Sequence, residues 1–217
     1  MPNSALSEFI ESNGASGAGN GGVARVDGPG AGGPFDGRRI PERTYVTGMM
    51  IALGAIVMFF VALASASIVR KGLANVDWQP FELPRILWVN TLLLIASSVT
   101  LVYSRRRLLA RHFEEFRHWW GVTAILGIFF LVGQIIAWWQ LASSGVFLST
   151  SPNSGFFYVF TAAHGIHLLG GTAGIVVVWR LSLGSMVRKT ATEVVALYWH
   201  CMTVLWLGVF LFLVATK

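Results

Sequence analysis

The chain has 217 residues, of which 54% are hydrophobic and only 12% charged, and its mean hydropathy is +0.63. A soluble domain is about a quarter charged, so this balance makes lipid the solvent and excludes an ordinary soluble enzyme. The net charge of +6 does not mark a nucleic-acid partner, because the basic residues are spread between apolar runs instead of forming one patch.

Residues 1–43 read as a separate tail. Leu6, Phe9 and Ile10 share one helical face, with Ser4 or Ser7 as caps, a pattern suited to a short docking helix or to a frayed terminus. From Gly14 to Gly37, ten of 24 residues are glycine, the composition of a flexible linker. Residues 44–217 form the second unit. Its apolar runs are Tyr45–Val69, Ile86–Ser104, Trp119–Ala142, Phe156–Trp179 and Val194–Thr216. Each has about the 17–25 residues that a helix needs to cross a bilayer. Lipid cannot satisfy open backbone groups, so the predicted fold class is all-α, a polytopic membrane protein with a bundle of five transmembrane helices.

The connections set the orientation. The loop after the first run holds Trp78 and Phe81, a candidate interfacial anchor. The stretch between the second and third runs places Leu108, Leu109, His112, Phe113 and Phe116 at helical spacing, which predicts a helical hairpin beyond the membrane. Its charges suit a solvated face, partner subunits or anionic lipid heads. With five spans, one side carries Arg25, Arg38, Arg39, Arg43, Arg105, Arg106, Arg107, Arg111, Arg117, Arg180, Arg188 and Lys189. The other carries Arg70, Lys71, Arg85 and Lys217. Twelve against four predicts a cytoplasmic N-terminus and a periplasmic C-terminus. The aromatic residues Trp119, Trp120, Trp138, Trp139 and Trp179 lie near run ends and read mostly as an interfacial belt.

The fourth run holds two histidines, His164 and His167, on one helical face. Gly170, Gly171 and Gly174 flank them, with Gly170 and Gly174 as a GxxxG pair, so this face reads as a packing seam. The fifth run adds Tyr198, Trp199, His200 and Thr203. At 1.5 Å per residue, His167 and His200 differ in depth by only about 4 Å, so depth leaves open a membrane b-type haem protein using that pair. The other reading has each imidazole fastening helices or meeting lipid. A proton relay lacks a carboxylate, because Asp77, Glu82, Glu114, Glu115 and Glu193 all lie in loops or at run ends. Asn90, Ser97, Ser98, Gln134 and several threonines suit hydrogen bonds between helices, and Cys201 reads as a small apolar residue.

Four motifs resemble subunit III of haem–copper oxidases in its short five-helix bacterial form. "LWVNTLLLIASSVTL" has the Asn-Thr and Ser-Ser pairs of that family's second helix, and "LGIFFLVGQ" ends in Gln134 as its third does. "FFYVFTAAHGIHLLGG" carries Thr161, His164, Gly165, His167, Gly170 and Gly171, and "YWHCMTVLW" carries Tyr198, Trp199, His200 and Trp206. The similarity covers residues 45–217. Ile56, Ala137 and Thr203 stand where the family often has acids, so a role tied to those acids does not carry over. The resemblance implies a non-catalytic structural and modulatory subunit of a proton-pumping terminal oxidase, most naturally cytochrome c oxidase, in the bacterial inner membrane. A quinol oxidase or a nitric oxide reductase accessory protein is the close alternative. It further implies no catalytic residue, haem or metal in this chain. Haem and copper sit in partner subunits. The partners are oxidase subunits I and II and membrane phospholipid, with room for a respiratory supercomplex. Under this reading His164, His167, Gly170, Gly171, Gly174, Tyr198, Trp199, His200, Asn90 and Gln134 are helix-packing or lipid-contact residues.

Overall fold

A computed structural model describes residues 42–73, 83–184 and 189–216. The docking helix and glycine-rich linker of the tail, and the Trp78 loop, lie outside the described residues. Five helices follow in chain order: α1 Glu42–Leu73, α2 Ile86–Leu109, α3 Phe113–Ser143, α4 Pro152–Leu183 and α5 Lys189–Thr216. All five are long and apolar enough to cross a membrane. They agree with the five apolar runs but extend past them at most ends, because a helix continues into the interface until a cap or turn stops it.

Two ends show why. α4 begins at Pro152, four residues before the apolar run, and Ser151 caps it. The Ser151 hydroxyl accepts from the Ser154 backbone N–H, and the Ser154 hydroxyl accepts from that of Ser151. Proline at the first helical position loses no bond there. The S-P-N-S stretch was a readable start signal. α2 and α3 run on as the predicted helical hairpin, joined by three residues with Arg111 in the left-handed region at φ 61°. Arg107 pairs with Glu115 at 3.0 Å and bonds the Tyr103 hydroxyl, Arg117 bonds Glu114 at 2.6 Å, and the Ser104 hydroxyl donates to the Phe116 carbonyl at 3.0 Å. Phe116 is buried, whereas Leu109 and Phe113 are exposed.

α2, α3, α4 and α5 pack in sequence, and α5 returns against α2. α1 does not dock on α2, its neighbour in the chain; it packs on α5 and α4. Its buried residues are Leu53, Phe60 and Ser67, spaced by seven, so only a narrow stripe engages the bundle. Lys71 fastens the far end through a 2.9 Å bond to the Thr216 carbonyl.

Candidate functional site

The interior is a column of large aromatic side chains, and the way they are satisfied explains the polar residues beside them. An indole N–H can only donate. The Thr91 hydroxyl donates to the Leu87 carbonyl of its own helix at 2.8 Å, which leaves its oxygen free to accept from Trp206 at 3.0 Å. Ser97 does the same: it donates to Leu94 at 2.7 Å and accepts from Trp199 at 3.0 Å. Thr161 donates to Phe157 and accepts from Trp138, again at 3.0 Å. Ser98 adds a 2.6 Å contact with Nδ1 of His200. The Asn-Thr and Ser-Ser pairs of α2 thereby meet the Trp-His and Trp positions of α5, two motifs about 100 residues apart in the chain.

The tryptophan doublets are split. Trp120 is fully buried and donates to the Ile175 carbonyl at 2.8 Å, and Trp138 reaches Thr161. Trp139, one residue on, is 73% exposed. Trp120 is therefore a core residue, a correction to the reading of the sequence, and Trp138 is a half-buried connector to α4. Neighbouring residues on a helix diverge by about 100°, so an apolar doublet alone cannot say which member turns inward.

The two histidines of α4 part in the same way. His164 is fully buried against Trp206, with ring centroids 4.8 Å apart, and beside Phe130 at 5.8 Å and Phe60 at 6.5 Å. His167 is half-buried, its Nδ1 donating to the Ala163 carbonyl at 2.7 Å and its ring 6.0 Å from Phe60 of α1. Tyr198 donates to the His167 carbonyl at 2.8 Å. His167 thus faces α1 while His200 engages α2.

The glycine seam needs a second correction. Gly170 is exposed, and a Cβ there would have no described atom within 4 Å, so it makes no packing contact among the described residues. Gly171 is the close approach: a Cβ there would lie 2.9 Å from Tyr198 and 3.2 Å from Trp199. Gly174 makes an ordinary 3.5 Å contact with Val195. Two glycines of α3 that the sequence reading passed over are as tight. A Cβ on Gly127 would sit 2.6 Å from Trp199, and one on Gly133 would collide with the Asn90 carboxamide. Asn90 and Gln134 are both buried, with their amides unpaired among the described residues.

Where the stripe of α1 meets α4 and α5, a groove of about 380 Å³ opens, walled by apolar residues that include Phe60, Val61, Ala64, Phe160, Val204 and Phe212. Cys201 lines it as a free thiol. The acids of the five helices are Glu42, Glu114, Glu115 and Glu193, all near helix ends, and Ile56, Ala137 and Thr203 place no carboxylate in the interior.

A family model for cytochrome c oxidase subunit III matches residues 45–216. The chain is 32% identical to the probable cytochrome c oxidase subunit 3 of Nocardia farcinica, over 75% of this chain and 83% of that protein. It is also 32% identical to cytochrome c oxidase subunit 3 of Corynebacterium diphtheriae, over 75% of this chain and 86% of the other. With the Synechocystis protein of that name it shares 28%, over 76% and 72% respectively.

Proposed function

Starting from the membership of this chain in the cytochrome c oxidase subunit III family, we propose that it is a structural and modulatory subunit with no catalytic residue of its own. The chain is a multi-pass protein of the bacterial inner membrane and belongs to an oxidase complex that works with other subunits. In the proposed arrangement it packs on subunit I of a proton-pumping haem–copper oxidase, with the N-terminus cytoplasmic and the C-terminus periplasmic. Haem and copper belong to the partners. The relatives' names favour cytochrome c over quinol as electron donor.

One observation carries this reading. The bundle interior is filled by aromatic rings, by hydroxyls engaged in bonds and by the neutral side chains of Asn90, Gln134 and His164, and no acid among the described residues lies within it. Membrane proton relays use buried carboxylates or chains of histidines, and His164 is the one fully buried histidine among the described residues. His167 and His200 face different helices, which supports two fasteners over a shared axial pair. Purifying the tagged chain from its native membrane and identifying the co-purifying chains tests the subunit assignment; subunits I and II are expected. Expressed alone, the chain is expected to give no Soret band. A b-type reduced-minus-oxidised spectrum that disappears in His200→Ala would overturn the reading.

The groove between α1 and α5 is the proposed phospholipid seat, because its apolar walls suit an acyl chain. Gly208 lines it with open space around its Cα. Gly208→Phe should therefore fill the groove and lower the phospholipid retained per purified chain while leaving helix content unchanged. Unaltered lipid stoichiometry by mass spectrometry would remove the groove from consideration.

A further inference from the structure

We propose that Asn90, Gln134 and His164 hold ordered water inside the bundle, in the interior enclosed by α2, α3, α4 and α5. The three side chains are 1%, 2% and 0% exposed. All six of their polar atoms are buried and have no hydrogen-bond partner among the described residues: Oδ1 and Nδ2 of Asn90, Oε1 and Nε2 of Gln134, and both ring nitrogens of His164. Elsewhere in this interior the pattern is the opposite, with the hydroxyl of Thr91 or Ser97 used once as donor and once as acceptor. A buried polar group left without partners is costly, so two amides and an imidazole unpaired in one interior call for a ligand.

Contacts link the surroundings of the three. The Asn90 carboxamide lies against Gly133, the residue before Gln134. Phe130, one turn from Gln134 on α3, packs on both His164 and Trp206. Trp206 covers the His164 ring and bonds Thr91, the neighbour of Asn90.

The chemistry of the set selects the ligand. Two carboxamides and a neutral imidazole offer donors and acceptors in near balance, and exchanging the amide oxygen and nitrogen does not change that. An ion would meet donors and acceptors mixed. An acyl chain would satisfy none of the six atoms. A molecule that both donates and accepts, and that is small enough for an interior packed with aromatic rings, is water, which needs two to four polar partners. Water here would tie α2 to α3 and α4, much as the indole bonds tie α2 to α5.

A density map of the chain in the complex it purifies with, at a resolution that shows water, tests this directly. Density within hydrogen-bonding distance of at least two of the three side chains is expected. A dry site, with the amides bonded to each other or to backbone carbonyls, would overturn the proposal. Gln134→Leu, His164→Phe and their combination give a second readout through the thermal midpoint of the chain. If the groups share water, each single change lowers the midpoint and the pair lowers it no further than the worse single. Simple addition of the two shifts, or a rise in either single, counts against shared water. Should the variants fail to accumulate, the map of the unaltered chain decides.

Discussion

Leucine in place of Gly171 is expected to destabilise the bundle severely, while leucine at Gly170, the adjacent residue, leaves the fold of the chain intact. The two positions differ by about 100° of rotation on α4. At Gly171 even the first carbon of a side chain would come within 2.9 Å of Tyr198 and 3.2 Å of Trp199. Trp199 is fully buried and held by its bond to Ser97 at 3.0 Å, so it cannot swing aside without breaking the α2–α5 link. Overpacking of a close core costs about 1–3 kcal/mol and can cost more where the neighbours are rigid. Leucine adds three further carbons to a position that has no room for the first. Gly170 has open space around it. Thermal unfolding of the isolated chain in detergent measures both, and equal losses would show that α4 is rotated differently. In the assembled oxidase the Gly170→Leu variant has a separate use. A drop in complex yield with a stable isolated chain would locate another subunit against that face.

Trp206→Ala is expected to be comparably damaging, for the opposite reason. Trp206 touches His164 at 4.8 Å, Phe130 at 5.0 Å and Phe210 at 6.4 Å, and its N–H is committed to Thr91. Removing the ring leaves a large cavity where four helices meet. Aromatic-to-alanine changes in close-packed cores cost roughly 3–5 kcal/mol. Lipid is as apolar as the interior, so the transfer part of that cost shrinks, and the lost packing remains. Trp206→Phe separates the contributions: it keeps a ring and deletes the N–H. Hydrogen bonds between membrane helices average about 0.6 kcal/mol, so the phenylalanine variant should lose far less than the alanine one. A double-mutant cycle with Thr91→Val isolates the bond itself. If Trp206→Phe were as harmful as Trp206→Ala, the bond and not the packing would dominate.

How far these sites could be read from the chain depends on the kind of residue. Asn90, Gln134, His164 and His200 stood out because polar groups are costly in lipid, and all four do face other helices. The bonds across the bundle were out of reach, because Ser98 meets His200 and Ser97 meets Trp199 across 102 positions of sequence, and Thr91 meets Trp206 across 115. The glycines show the other limit. Gly170 and Gly174 have the spacing of a packing motif, yet Gly171, Gly127 and Gly133 are the positions with no room. Spacing along one helix does not reveal what the neighbouring helix presents.

By itself the sequence determined the solvent, the number of spans, the helical hairpin between α2 and α3, and the family. Runs of about 20 apolar residues in lipid have few other ways to satisfy their backbone. The tertiary structure decided that α1 docks on α5 and α4, which tryptophan of each doublet turns toward the other helices, and which glycine is the close contact. In a soluble helix the apolar stripe names the inward face. These spans are apolar all round, so hydrophobicity carries no direction, and only shape and hydrogen bonding between helices set it.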